Sequence, residues 1–157
     1  MKNLSQGIPE DQTQQHFKTE SWRNKQKDFY TQTLQNILKK YSHSQIGTLH
    51  IKEIKEKYNP SIEGCYFLFT SIASEKVQVY EIIWNPITLE LTWSIVLVRN
   101  QKEGIGTKLK EMTEEIAQSL HAKTLLCEGI FEEHIEFWKK QPDYVFGPIK
   151  NDAIKYY

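Results

Sequence analysis

The chain has 157 residues, 39% of them hydrophobic and 12% aromatic, enough for one globular domain with a core and too few for two. Twenty Lys and Arg balance twenty Asp and Glu, so no global field draws the chain to nucleic acid or to an anionic membrane. Apolar runs such as "SIVLV" fall far short of the roughly 20 residues of a membrane span, and the N-terminus lacks an apolar secretion segment; a cytoplasmic protein is expected.

Residues 1–20 are polar and Gln-rich, without periodicity, and read as a flexible arm ahead of a domain over 21–157. From Ser21, apolar residues at Trp22, Phe29, Tyr30, Leu34, Ile37, Leu38 and Tyr41 recur at three- and four-residue steps, predicting a helix to about His43. That helix covers a sheet, and Trp22 or Tyr30, if exposed, would mark a homodimer face. A shorter helix is expected after Thr48, with Ile51, Ile54 and Tyr58 on its apolar side; "IGTLHI" alternatively reads as a strand. "CYFLFTSI" and "KVQVYEIIW", joined by "ASE", predict a β-hairpin, and "NP" at 85–86 turns the chain into a third strand, "ITLELTWSIVLV".

After "QKEGIG", Leu109, Met112, Ile116 and Leu120 repeat at the helical step to about His121. "KTLLCEGI" then reads as a short buried parallel strand. A helix over about 132–141 is stopped by Pro142, and "YVFG" and "DAIKYY" supply closing strands. The order predicts an α+β single domain with a mixed, mostly antiparallel twisted sheet flanked by helices. Cys65 and Cys127 lack CxxC spacing and read as buried reduced thiols, and no metal site is expected.

A strand that passes through Gly104 and Gly106 into a helix leaves that helix's first amides unpaired at the positive end of its dipole, where an oxyanion fits. Neither the GxxxxGK[ST] nor the GxGxxG nucleotide motif is present. The stretch Gln101-Lys102-Glu103-Gly104-Ile105-Gly106 instead matches Q/R-x-x-G-x-G/A, the pyrophosphate-binding signature of the GNAT N-acetyltransferases, and residues 62–150 resemble that family in element order.

The resemblance implies an acyltransferase that takes acetyl-CoA as donor and delivers the acetyl group to a primary amine of a small molecule or peptide. Gln101 to Gly106, with Thr107 beyond them, would hold the pyrophosphate, helped by Lys102 and Lys108. The strand edge at Val96, Leu97 and Val98 would pair with the pantetheine arm, and a backbone amide near Val96 would steady the acyl oxygen. In that family a bulge often splays the fourth strand from the fifth; no glycine in Ile87–Val98 marks one here.

An amine of pKa near 10.4 is neutral at pH 7 only at a cost of about 4.6 kcal/mol, so a carboxylate base is useful. Glu90 stands eleven residues before Gln101, the separation of the base in the histone-acetylating branch, and is the first candidate, with Glu81 and Glu128 as alternates. The family's acidic tyrosine is replaced by Trp138, which has no acidic proton to give and would pack in the core or against the pantetheine arm. Tyr144, Cys127 and His134 are substitutes. Glu128, Glu132, Glu133 and Glu136 would suit a cationic acceptor, although early glutamates also complement a helix dipole. The rival expectation is an acyl-CoA-binding sensor or interaction protein that has lost the acid.

Overall fold

Thr19 caps the first helix, its side-chain oxygen accepting from the Trp22 N–H at 3.2 Å, and α1 runs over Glu20–Tyr41. The computed structural model describes residues 19–98, 104–130, 134–147 and 151–157, with Ile95 and Leu97 described by backbone alone. All but the end of the expected 1–20 arm therefore lies outside the described residues. Tyr30, Leu34, Ile37 and Leu38 form the buried stripe of α1, whereas Phe29, expected on the same stripe, is 49% exposed. Tyr30 is fully buried and shares a hydrogen bond with Thr70, so it marks no dimer face; Trp22 packs edge-on against Tyr66 at 5.7 Å.

The helix expected after Thr48 is a strand. β1 covers His50–Tyr58 and pairs antiparallel with β2, Tyr66–Ala73. The misreading has a specific cause. The register shifts between Ile51 and Glu53, so Lys52 is an extra residue that resets the alternation. Ile51, Ile54 and Tyr58 then stand opposite Ile72, Thr70 and Tyr66 on one face, and a bulged strand reproduces the three- and four-residue spacing of a helix.

β3, Val77–Asn85, follows a turn in which the Ser74 hydroxyl accepts from the Lys76 and Val77 amides. The Asn85 side chain accepts from the Ile87 and Thr88 amides and turns the chain into β4, Glu90–Val98. α2 is Ile105–Ser119, β5 Thr124–Cys127, α3 Ile135–Lys139, β6 Val145–Phe146 and β7 Ala153–Tyr156. The seven strands form one sheet in the order β1-β2-β3-β4-β5-β7-β6, antiparallel throughout except for the β4–β5 pair. α3 is shorter than the helix expected over 132–141, since 131–133 are not described and the helix is capped at Lys140 ahead of Pro142.

The described helices lie on one face of this sheet. Tyr30 of α1 bonds Thr70, Thr113 of α2 bonds Tyr80, and Trp138 of α3 meets Trp93 with ring centroids 5.8 Å apart. Thr70 and Trp93 both stand opposite Ile82, and Tyr80 lies two residues from Ile82, so all three anchors share a face. Leu68, Ile72, Leu91, Leu109, Met112, Ile116 and Leu125 fill the core there. No described helix is long and apolar enough to cross a membrane.

The Tyr80–Thr113 bond is directional. Thr113 spends its one hydroxyl proton on the Leu109 carbonyl at 2.6 Å, so Tyr80 donates to Thr113, also at 2.6 Å, and both residues are fully buried. Thr113→Val strands the buried tyrosine donor, whereas Tyr80→Phe leaves Thr113 its own bond. Thr113→Val is therefore expected to cost roughly 1–3 kcal/mol and Tyr80→Phe about 1 kcal/mol or less. Urea unfolding of the two variants checks the order, and a larger loss for Tyr80→Phe would refute the assignment of donor and acceptor.

Candidate functional site

β4 and β5 run side by side for four residues and then part. Glu90, Leu91, Thr92 and Trp93 pair with Thr124, Leu125, Leu126 and Cys127, and the last link is the Glu128 amide donating to the Trp93 carbonyl at 3.3 Å. Two local features force the parting. On β4 the register against β3 jumps from Ile82↔Trp93 to Glu81↔Ile95, which makes Ser94 a bulge. On the other side the chain after Cys127 stays with β7: the Gly129 amide donates to Asp152 Oδ1 at 3.2 Å and the Ile130 amide to the Asn151 carbonyl at 2.8 Å. From Ser94 to Val98, β4 keeps β3 on one edge and, among the described residues, has no strand on the other. Val96 is placed on this free stretch, half-buried, with the backbone of Leu97 and the half-buried Val98.

Gln101, Lys102 and Glu103 lie outside the described residues. Gly104, the N-cap of α2, has φ 72° and ψ 17°, a left-handed conformation that favours glycine, and a Cβ there would sit 3.5 Å from Gln45 Nε2. Among the described residues no side chain caps the helix, and its first turn holds no acidic residue. Ile105 is fully buried, and Gly106 and Thr107 are exposed. Gly106 has no positive φ, and a Cβ on it would meet nothing within 4 Å. The fold does not require glycine at that position. Lys108 pairs with Glu111 at 3.0 Å.

Aromatic rings floor the fork. Trp93 touches Tyr80 at 5.9 Å and Trp138 at 5.8 Å, and Trp138 is edge-on to Tyr144 at 5.1 Å. Trp93 is 7% exposed and its indole N–H has no hydrogen-bond partner among the described residues, a polar group that nothing in the sequence singled out. Tyr144 donates its hydroxyl proton to Glu114 Oε2 at 2.8 Å, and burial above all, with Cys127 and that carboxylate adding to it, pushes its pKa far up. Its proton is thus committed to Glu114. Burial likewise raises the Cys127 thiol, which stays protonated, and Cys65 and Cys127 are both free. His134 caps α3 and is half-buried.

Glu90 begins β4 and accepts from the Thr124 hydroxyl at 3.2 Å. It lies three residues, ~10 Å along the strand, short of Trp93 at the fork. Glu128, an alternate in the sequence reading, stands at the fork itself. Both carboxylates line a hollow of about 620 Å³ on the sheet face opposite the helices, together with Thr92, Ile83, Phe67 and Phe69. Glu81 lines a second hollow of about 330 Å³ beside the bulge at Ser94. Glu132 and Glu133 lie outside the described residues, and Glu136 approaches Lys139 at 4.0 Å on the surface. Among the described residues, no group of three or more His, Cys, Asp or Glu is placed to hold a metal ion.

No protein-family model matches the sequence, and no curated protein matches it.

Glu114 ties the helix to the aromatic floor. Burial opposes its ionisation, yet the Tyr144 hydroxyl, Lys110 and Lys155 outweigh burial and hold its pKa below the ordinary 4.5; both ammoniums lie 3.3 Å from Oε2. A carboxylate whose folded pKa is depressed contributes stability in full above its unfolded value and loses it as pH falls through the folded one. Glu114→Gln keeps the tyrosine's acceptor but leaves two lysines uncompensated. The variant is expected to be less stable than the native chain at pH 7, with the gap closing below pH 4.5 as Glu114 protonates. Urea midpoints at pH 7, 5 and 3.5 test this; a gap independent of pH would remove the charge from the account.

Proposed function

We propose that the chain is an acyltransferase of the GNAT type that moves an acetyl group from acetyl-CoA directly to a primary amine. One observation carries the reading: a parallel strand pair parts at the Ser94 bulge, and the strand with the free edge leads into a helix opened by Gly104 and Gly106. A strand edge without a partner offers amides and carbonyls that a pantetheine arm pairs with as an added strand does. The uncapped amides of α2 supply donors for the pyrophosphate. The open space at Gly106 fits a group that must approach the backbone closely.

The residues divide the work. The backbone of β4 beyond Ser94 holds the thioester arm and sets an N–H near Val96 against the acyl oxygen, where charge develops. Glu90 receives the amine's proton through water, because ~10 Å of strand separates it from the fork. The coenzyme leaves as the thiolate. Its thiol has an ordinary pKa near 8.5, so departure at pH 7 without a proton donor forgoes only about 2 kcal/mol. That smaller term agrees with Trp138 at the acid's place and with Tyr144 bound to Glu114.

Gly106→Asp tests the anion site, since the signature accepts alanine at this position and only a charge is informative. A Cβ there meets no neighbour and an acidic residue in the first turn complements the helix dipole, so the variant is expected to melt at the same temperature or slightly higher. The added carboxylate repels the pyrophosphate and is expected to weaken acetyl-CoA at least tenfold, about 1.4 kcal/mol, by calorimetric titration. Gly104 is unsuited to the test because its φ of 72° makes any substitution strain the fold itself. Unchanged affinity in Gly106→Asp, or a native chain that ignores the coenzyme, ends the proposal.

The commitment of the Tyr144 proton favours a second reading, a protein that binds acyl-CoA without turning it over. Thiol release decides between them. Glu90→Gln is expected to lower kcat at least tenfold with KM for the amine nearly unmoved; a native chain that binds acetyl-CoA and releases no thiol with any amine supports the second reading.

A further inference from the structure

The sheet face opposite the helices carries a feature that coenzyme binding does not use. Phe67 and Phe69 of β2, Ile83 of β3 and Leu126 of β5 are half-buried side chains at the floor of the 620 Å³ hollow, and Thr92 of β4 lies among them. The hollow reaches the fork, since Thr92 and Glu128 flank the last β4–β5 link. Its charges are unevenly placed. Glu90 and Glu128 stand on the β4–β5 side, and the lysine of this hollow, Lys57, stands on β1 with its ammonium 5.7 Å from the centre of the Phe69 ring. Three strand spacings, ~14 Å, separate β1 from β4. In the adjoining hollow beside Ser94, Lys55 approaches Glu53 at 3.7 Å and Glu81 adds another carboxylate.

From this arrangement we infer that the hollow binds a primary monoamine with an apolar or aromatic body, its ammonium against Glu128, with Glu90 further along β4, and its body on Phe69, Phe67 and Ile83. The charge pattern selects one cation. A second positive charge further along the ligand meets Lys57, so linear polyamines are disfavoured. A carboxylate in place of the ammonium meets Glu128 and Glu90 and is excluded. The apolar body is required because the carboxylates are too open to water to hold a cation alone; an exposed ion pair gains little, and the burial of a ring supplies the affinity. That the amine is the acetyl acceptor rests on the proposed function; that it binds here does not.

Four small molecules, titrated by calorimetry into the full chain without coenzyme, separate these contributions. 2-Phenylethylamine is expected to bind at least tenfold tighter than ethanolamine, which lacks the ring, than phenylacetate, which reverses the charge, and than spermidine, which adds charges. Glu128→Gln, at an exposed position, is expected to weaken 2-phenylethylamine at least fivefold. Phe69→Leu, which keeps the strand apolar, is expected to weaken it too, with its melting temperature measured alongside. Binding of ethanolamine or spermidine as tight as that of 2-phenylethylamine, no binding of any, or indifference to Glu128→Gln overturns the inference. A parallel titration with acetyl-CoA keeps the two readings apart. Coenzyme binding without amine binding removes this inference and leaves the transferase standing; amine binding without coenzyme binding does the reverse.

Discussion

β5 is held from both sides, and its two neighbours diverge. It pairs with β4 in parallel and with β7 antiparallel, four residues each. Beyond Cys127 the chain follows β7, because Gly129 and Ile130 bond to Asp152 and Asn151. β4 follows β3, because its pairing there continues to Val98 once the Ser94 bulge has absorbed a residue. Both ladders cannot be satisfied at once, so the β4–β5 ladder ends. A main-chain amide or carbonyl without a partner costs roughly 1–3 kcal/mol when buried, which makes the free edge of β4 either a wet surface or a place for a ligand with its own amides. The rest of the site is arranged around that edge: the glycine-led helix at its end, the aromatic floor beneath, the carboxylates on the far face.

The floor is held by packing and charge together. Trp138 contributes a ring that contacts Trp93, Phe137 and Tyr144, and Tyr144 is fixed by Glu114, which Lys110 and Lys155 neutralise. A half-free tyrosine would be a better proton donor and a poorer strut. Here burial and a carboxylate acceptor both favour the neutral phenol, so the residue serves rigidity. Among the described residues, the Trp93 N–H is a buried donor without a partner, directly beside the point where the strands part.

What the amino-acid order made legible was local. β2, β3 and β4 could be read because their apolar residues alternate and their turns carry Ser74 and Asn85, and α2 because Leu109, Met112 and Ile116 keep the helical step. β1 was misread because the Lys52 bulge imitates a helical period. The Ser94 bulge left no mark, since serine rather than glycine occupies it and it shows only in the register against β3, while the end of the β4–β5 ladder rests on the non-local bonds of residues 129–130 to 151–152. The same non-locality hid the strand order, in which β7 enters between β5 and β6. It also hid where the carboxylates stand relative to the fork: Glu90 is nominated by its spacing to Gln101, while the place of Glu128 depends on where β5 stops pairing.

An antiparallel sheet with one wet face ordinarily alternates apolar and polar residues, so that the wet face is polar. This sheet keeps that rule at its margin and breaks it at the centre. Glu53, Lys55 and Lys57 of β1 and Glu81 of β3 are polar, as solvent requires, but Phe67, Phe69, Ile83 and Leu126 are not. These four add nothing to the core beneath the helices, because their strand neighbours Leu68, Ile82 and Leu125 already fill it. Left bare, such side chains favour aggregation, and the charged β1 edge only partly guards against that. On the proposed reading, Leu126 and Thr92 carry this hollow to the fork and the two faces of the sheet serve one site: a free strand edge is approached from the helix end, and an apolar hollow with carboxylates at one side is approached from the other. A reaction between two ligands needs that geometry, because each must reach the same point without displacing the other.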